Sequence, residues 1–150
     1  MINSFKGLYH FLSNFQLIDI PFEGITYPSI EHFYMAQKTT DLKLRQIISK
    51  LETPGQAKRI GRELELRPDW NEIKFDMMRT GLELKFQDVF MQSQLMETGQ
   101  EELLEGNNWH DNIWGSCYCP KCGNKGENNL GKMLMEIRQR IRTEQTQILP

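Results

Sequence analysis

The chain has 150 residues, of which 39% are hydrophobic and 25% are charged, with 18 Lys and Arg against 20 Asp and Glu. This length suits one hydrophobic core and leaves no room for a second independent domain. The net charge of −2 argues against a protein that binds nucleic acid through bulk positive charge. We therefore expect one globular domain over residues 1–150.

The location of the protein is also suggested by its composition. No apolar run approaches the roughly 18 residues that a membrane span needs, and the N-terminus lacks the pattern of a secretory signal. Three clustered cysteines are too few for a disulfide framework and suit a reducing compartment. These features predict a cytoplasmic protein without membrane association.

The charges are divided unevenly along the chain. Residues 38–62 hold seven bases and two acids, whereas residues 63–112 hold four bases and twelve acids. Solvated helix faces would explain this division. The alternative is an anion-binding concavity beside catalytic carboxylates.

Taken in chain order, the pattern predicts short strands first and helices afterwards. Apolar–polar alternation over 11–15 and 17–22, followed by Gly24 and 25–27, indicates strands with a hairpin at the glycine. Ser29 and Thr53 are suitable N-caps. Helices are predicted over 29–38, 42–51, 54–64, 72–88, 89–97 and 129–141, with a possible strand at 103–105 and an irregular loop over 106–128. The predicted fold class is α+β, mostly helical with a small sheet.

The first predicted helix contains candidate catalytic residues. Glu31 and Lys38 are seven residues apart, which on a helix places them on one side. They form a solvated pair or, if the face lines a cleft, an acid or base beside an anion clamp or imine-forming amine. His32 is more typical of a packed or capping residue than of a catalyst.

A basic pair follows at Lys58 and Arg62, which are neighbours on one helix face. Two such bases can bind a phosphate, with the arginine supplying a planar fork. A solvated basic face is an equally good explanation of this pair alone.

The predicted loop holds two tryptophans around an aspartate: Trp109, Asp111 and Trp114. An indole stacks on a planar base, and a carboxylate can stabilise positive charge that develops on a sugar. This is the strongest functional indication from the residues themselves.

Three cysteines follow at Cys117, Cys119 and Cys122. The Cys119-Pro-Lys-Cys122-Gly sequence is typical of half a zinc knuckle, but a full site needs four ligands and no second pair follows, although His110 or Cys117 could contribute. We predict neither a metal nor a cofactor. A metal held by these three cysteines is the less favoured alternative. Nothing identifies a base for a catalytic thiol.

Several ordered blocks, spread over about residues 5–140, resemble the NADAR superfamily, the YbiA-like N-glycosidases. They are Phe11-Leu12-Ser13-Asn14-Phe15, Tyr27-Pro28-Ser29-Ile30-Glu31-His32-Phe33-Tyr34-Met35-Ala36-Gln37-Lys38, Ala57-Lys58-x-x-Gly61-Arg62, Arg67-x-Asp69-Trp70, Lys85-Phe86, Leu95-x-x-Thr98-Gly99, Asp111-x-x-Trp114-Gly115 and Asn129-Leu130-Gly131-x-x-Leu134-Met135-x-Ile137-Arg138. Each block is weak alone, and the ordered set is specific.

The resemblance implies the family's fold and hydrolysis of an N-glycosidic bond to a ribose phosphate. The implied substrates are ribosylamino-pyrimidine phosphates of early riboflavin synthesis, or ADP-ribose attached to guanine in nucleic acid. It implies catalytic roles for Glu31, Lys38, Asp111 and Trp114, with Lys38 matching a lysine that a Schiff-base route would use. Residues implied to contact substrate are Asn14, Lys58, Arg62, Trp70 and Asn129, and Trp109 joins them as a stacking residue.

Two other classes of function stay open. The same basic pair and tryptophans would serve a module that binds ADP-ribose or a nucleotide without turnover. A cysteine-centred structural or interaction protein is the third class. The net charge favours a small-molecule substrate over modified nucleic acid, and the sequence leaves the oligomeric state open.

Overall fold

A computed structural model describes the backbone of residues 1–148 and the side chains of residues 1–147. The chain forms two compact units, one made of residues 14–88 and the other of residues 1–13 together with the chain from Val89 onward. The expectation of one domain over residues 1–150 stays a prediction, and its last two residues lie outside the described part.

The unit of residues 14–88 contains one hairpin and four helices. In chain order these are β1 (Ile20–Phe22), β2 (Ile25–Tyr27), α1 (Ile30–Ala36), α2 (Leu42–Ser49), α3 (Pro54–Glu63) and α4 (Trp70–Lys85). The strands pair antiparallel, with Ile20 opposite Tyr27. Glu23 and Gly24 both have positive φ, at 49° and 82°, as a tight hairpin turn requires. The predicted hairpin at Gly24 is confirmed.

Both predicted N-caps are confirmed. The Ser29 hydroxyl accepts a hydrogen bond from the backbone N–H of His32 at 3.1 Å, at the start of α1. The Thr53 hydroxyl accepts from Gln56 N–H at 3.2 Å, and the Gln56 side chain accepts from Thr53 N–H at 3.2 Å. This reciprocal capping box satisfies two backbone donors that α3 would otherwise leave unpaired.

Helix α1 is the centre of this unit, because all seven of its side chains are buried. It packs against α3 where Gly61 faces Met35, so closely that a Cβ on Gly61 would lie 2.8 Å from the Met35 Cβ. Gly81 of α4 meets Phe33 of α1 in the same way, with 2.8 Å between a Cβ and the ring. Glycine at these two positions lets both helices approach α1.

The end of α1 differs from its prediction. The helix stops at Ala36, and Lys38 lies in the turn that follows instead of two helical turns above Glu31. The turn is stabilised by the buried Arg45, whose Nε donates to the carbonyls of Ala36 at 3.3 Å and Thr39 at 2.8 Å. These bonds satisfy carbonyls at the end of the helix, and the seven-residue spacing contains no information about them.

The second unit contains a 3-10 helix (Gly7–Leu12), α5 (Val89–Glu97), β3 (Gly106–Asn107), β4 (Ser116–Cys117) and α6 (Asn129–Ile148). Strands β3 and β4 pair in parallel. The predicted strand over 11–15 is wrong in this region, because Phe11 and Leu12 end the 3-10 helix. Both of these neighbouring side chains are buried, whereas a strand would point them to opposite faces.

The region after α5 also differs in part from its prediction. Leu103 forms a single bridge with Ile2 instead of the predicted strand over 103–105, and two short strands lie within the stretch predicted as wholly irregular. The α+β, mostly helical fold class with small sheets is confirmed. Among residues 1–148, no helix has both the length and the apolar character needed to cross a membrane.

The contact between α1 and α3 gives a stability prediction. We expect Gly61→Ala to lower the free energy of unfolding by about 1–3 kcal/mol, since the new methyl group overpacks the Met35 contact. Gly55→Ala is the matched control on α3, because its Cβ would have an ordinary contact at 3.9 Å. That variant should be neutral or stabilised by up to about 1 kcal/mol. Urea unfolding of both variants measures the difference, and equal stabilities would contradict the packing account.

Candidate functional site

Lys38 lies in the turn after α1, in surroundings that differ from those of a surface lysine. It is half-buried, and its Nζ lies 6.0 Å from the centroid of the Tyr34 ring. Burial lowers the pKa of Lys38, and the positive charge of Arg62 lowers it further, whereas the negative charge of Glu31 opposes both. A lowered pKa increases the fraction of neutral, nucleophilic amine at neutral pH.

Glu31 is buried in the first turn of α1, with 7% of its surface exposed. Its backbone N–H donates to the carbonyl of Asn14 at 3.1 Å, which ties the segment before β1 to the start of the helix. The first turn of a helix stabilises a negative side chain. Glu31, Lys38 and Arg62 therefore form a cluster in which a carboxylate, an amine and a guanidinium influence one another; we call it the Lys38 cluster.

The two bases of the predicted pair lie on α3 but have different surroundings. Arg62 is exposed, and its charge acts on Lys38. Lys58 is half-buried, with its Nζ 5.9 Å from the centroid of the Phe15 ring. An exposed guanidinium beside the amine is available to an anionic ligand.

Asn14 has a polar atom that suits a ligand contact. Its Nδ2 lies 3.6 Å from the Met78 sulfur. Its Oδ1 is buried and has no hydrogen-bond partner among the residues that the structure describes. Leaving such an acceptor unpaired costs free energy, so a donor from a bound molecule would stabilise this position.

Tyr34, whose ring lies near the Lys38 amine, packs against Trp70. The rings of Tyr34 and Trp70 lie 5.0 Å apart between centroids, and both side chains are buried. Packing against Tyr34 accounts for Trp70, whose substrate contact stays a prediction. Tyr34 was not predicted as a site residue, and only its place four residues before Lys38 could have indicated a role.

His32 has a structural role in this unit. Its side chain is fully buried, with Nδ1 2.7 Å from the Ser29 hydroxyl and Nε2 3.0 Å from the Leu51 carbonyl. Burial lowers the pKa of His32, which favours a neutral ring that donates to the carbonyl and accepts from the hydroxyl. This arrangement agrees with the packed or capping role expected from the sequence.

Lys85 was part of the family resemblance but was not predicted as a site residue. It is fully buried near the end of α4, and its Nζ lies 5.4 Å from the centroid of the Phe86 ring. Lysine is seldom buried to this degree. The sequence offers no indication of this burial, because Lys85 lies in a helix with both apolar and charged neighbours.

In the other unit, Asp111 shapes the turn that contains it. One carboxylate oxygen accepts from the backbone N–H groups of Ile113 at 3.2 Å and Trp114 at 2.9 Å. The buried Asn107 accepts from the Asp111 N–H at 3.1 Å and donates to its carbonyl at 2.8 Å. Asn107 was not predicted as a site residue, and its burial is the feature that marks it.

The remaining predicted residues lie around this turn. Trp109 is 45% exposed, and Lys6 Nζ lies 5.9 Å from its ring centroid. Trp114 is half-buried, and its carbonyl accepts from Leu130 N–H at 3.0 Å. The Asn129 side chain donates to the Ile113 carbonyl at 2.8 Å. The exposed Trp109 ring can stack on a ligand, whereas the known contact of Asn129 stabilises the loop.

The three cysteines are unpaired thiols close to His110 in this same loop. A groove of about 700 Å³ lies elsewhere in this unit, between the 3-10 helix and the end of α5. None of the predicted site residues lines that groove. The candidate chemistry therefore lies in the Lys38 cluster, the Asp111 turn and the cysteine group.

A carboxylate, an amine and a guanidinium together can transfer protons and bind an anion. The chain belongs to the NADAR domain family, whose model matches residues 3–142. It is 37% identical over 136 residues to the N-glycosidase YbiA of Shigella boydii, an alignment covering 88% of this chain and 81% of that protein. The NMR structure of the E. coli protein YbiA matches with a TM-score of 0.81 and 32% identity, covering 100% of this chain and 92% of that chain.

A riboflavin biosynthesis protein of Vibrio vulnificus is 36% identical over 134 residues. This alignment covers 87% of our chain but 35% of the Vibrio protein, so the similarity concerns one part of a longer chain. The predicted family and fold are confirmed by these findings.

The charges around Lys38 predict opposite effects of two substitutions on its pKa. Because Arg62 lowers this pKa and Glu31 raises it, Arg62→Ala should move it upward and Glu31→Gln downward. Only the neutral amine is acylated, so the rate at which acetic anhydride labels Lys38 rises with pH. The midpoint of this rise should shift in the same directions as the pKa. Mass spectrometry of the Lys38 peptide measures the rate at each pH.

Arg59→Ala removes an exposed arginine from the same helix and serves as the control. Its labelling profile should match that of the unsubstituted protein. An unchanged midpoint in Arg62→Ala would contradict the proposed effect of Arg62.

Proposed function

We propose that this chain hydrolyses the N-glycosidic bond between a base or amino-pyrimidine and a ribose phosphate. The observation that supports the proposal most is the Lys38 amine, whose pKa is lowered next to a buried carboxylate and an exposed guanidinium. The names of the relatives, N-glycosidase and riboflavin biosynthesis protein, favour this chemistry and this substrate class.

The proposed reaction begins with an attack of the neutral Lys38 nitrogen on the anomeric carbon of the ribose. The bond from that carbon to the base nitrogen breaks, and the base leaves with a proton donated by a carboxyl group. The lysine nitrogen passes one proton to the carboxylate, and its second proton moves to the ring oxygen as the bond from this oxygen to the anomeric carbon breaks. This opening of the sugar ring gives an imine between lysine and ribose phosphate. Water then hydrolyses this imine, releasing ribose phosphate and restoring the amine.

We assign the proton transfers to Glu31, because its charge acts directly on Lys38. A buried carboxyl can donate a proton to the leaving nitrogen and afterwards accept one from water. Its negative charge also stabilises positive character at the anomeric carbon. Arg62 would hold the phosphate through its planar fork, with Lys58 as a second base on the same helix.

Asp111 and Trp114 stay predicted catalytic residues on the strength of the family resemblance. The hydrogen bonds that Asp111 accepts from Ile113 and Trp114 give it a structural role as well. Asp111→Asn retains a side-chain acceptor and removes the charge, so it separates these two roles.

An alternative substrate is ADP-ribose attached to guanine in DNA or RNA. The basic stretch at 38–62 keeps this substrate open, but buried Arg45 is used to end α1 and is unavailable to a ligand. This use of one base, together with the net charge of −2, favours the small molecule.

The test offers the purified protein a ribosylamino-pyrimidine phosphate and ADP-ribosylated guanine DNA in parallel, with products identified by mass spectrometry. We expect release of the free base from the small molecule. Glu31→Gln should lower kcat at least about 100-fold, a loss typical of a missing acid–base group. Asp111→Asn should lose activity at unchanged stability if its charge takes part in the reaction.

Glu63→Gln, an exposed carboxylate on α3, is the matched control and should retain full activity. If the protein turns over only the ADP-ribosylated DNA, the substrate assignment changes from the small molecule to this alternative. Binding of both compounds without any product would contradict the enzyme assignment and favour a binding module. Near-normal turnover by Glu31→Gln would remove Glu31 from the mechanism.

A further inference from the structure

Four side chains of one loop converge on a single point: His110, Cys117, Cys119 and Cys122. The His110 Nδ1 and the three sulfur atoms all lie within 4.8 Å of one another. We propose that these four residues bind one structural zinc ion, which stabilises the loop carrying Asp111 and Trp114.

The nitrogen–sulfur distances agree with the corresponding edges of a zinc tetrahedron. Zn–N bonds of about 2.0–2.1 Å and Zn–S bonds of about 2.3 Å, at tetrahedral angles, place nitrogen and sulfur about 3.6 Å apart. The His110 Nδ1 lies 3.3 Å from Cys122 Sγ, 3.6 Å from Cys119 Sγ and 3.7 Å from Cys117 Sγ. All three distances are close to that edge length.

Hydrogen bonding alone does not explain this convergence. A ring nitrogen has either one lone pair or one proton, so it can make one directed hydrogen bond and not three. The cysteines form no disulfide. A cation at the centre, bound to the ring nitrogen and to all three sulfurs, accounts for every contact at once.

The backbone around Cys119 and Cys122 has the form of a zinc knuckle. The N–H of Cys122 donates to the Cys119 sulfur at 3.4 Å, which stabilises negative charge on that sulfur. Gly123 adopts a φ of 66° and donates its N–H to the Cys119 carbonyl at 2.9 Å. This left-handed position explains the glycine after the second cysteine.

His110 is held in an unusual conformation that directs it to the sulfurs. Its φ of 67° lies in the left-handed region, which a residue with a Cβ adopts at a cost. The buried Asn107 fixes the neighbouring turn by accepting from the N–H groups of Trp109 and Asp111, at 3.2 and 3.1 Å. A zinc bond would compensate for this backbone strain.

The ligand types identify the metal and its role. Three thiolates and one imidazole are the soft and borderline donors that zinc prefers, and four protein ligands leave no open position for water. The zinc is therefore structural and not catalytic. Binding releases the thiol protons to solvent, with the imidazole neutral, so affinity should rise with pH.

His110 comes directly before Asp111, and Cys117 is the third residue after Trp114. A zinc ion bound to both would therefore restrain both ends of the Asp111 turn. The proposal does not depend on the proposed activity. Its test measures metal content and loop protection, so it can fail while the glycosidase assignment holds.

The full chain is purified under reducing conditions, and its metals are measured by elemental analysis. We expect one zinc per chain. After removal of the metal, Co²⁺ should give the intense visible absorption of tetrahedral cobalt together with thiolate-to-cobalt charge transfer. Zinc added to the metal-free protein should raise Tm and slow amide exchange over residues 107–124.

Cys122→Ser and His110→Ala should each weaken Co²⁺ binding by more than about tenfold, since even residues that only support a ligand have effects of that size. His10→Ala, an exposed histidine of the same unit, is the matched control and should bind normally. If the ligand variants do not fold, cobalt titration of the metal-free unsubstituted protein decides the question.

Three results would overturn the proposal. They are iron in place of zinc, an absence of metal in protein whose three thiols are reduced, and cobalt binding without thiolate charge transfer.

Discussion

The close approach of α1 and α3 at Gly61 is the constraint on which the candidate site depends. Without a side chain at this position, α3 lies directly against Met35, and the next residue, Arg62, comes near enough for its charge to act on Lys38. Arg45 ends α1 at the other side of the same turn by bonding its carbonyls. The amine is therefore positioned by packing and capping, and its pKa is lowered chiefly by burial.

The Asp111 turn is stabilised in a different way, by polar contacts within a loop. Asn107 and Asp111 satisfy backbone N–H groups between residues 109 and 114. The zinc that we propose would add to these local hydrogen bonds in stabilising the loop. The two groups of predicted catalytic residues thus owe their geometry to different interactions.

Local patterns predicted the caps and the hairpin, because Ser29, Thr53 and Gly24 each act on backbone groups a few residues away. The end of α1 was not predictable in this way, since it depends on Arg45, nine residues beyond Ala36. The prediction of a strand over 11–15 was wrong because Phe11 and Leu12 are both buried. This burial is a tertiary effect that overrides local alternation. Similarly, the cysteine spacing indicated half a metal site. That His110 lies close to the three sulfur atoms could be learned only from the fold of the loop.

In the proposed mechanism, Lys38 forms a covalent bond with the sugar during turnover. Borohydride added to the protein with a ribosylamino-pyrimidine phosphate would reduce the imine and leave a stable adduct. Mass spectrometry of the digested protein should then find the mass of a reduced ribose phosphate on the Lys38 peptide, and none without substrate. No adduct in an active preparation, together with full activity in Lys38→Ala, would contradict the claim.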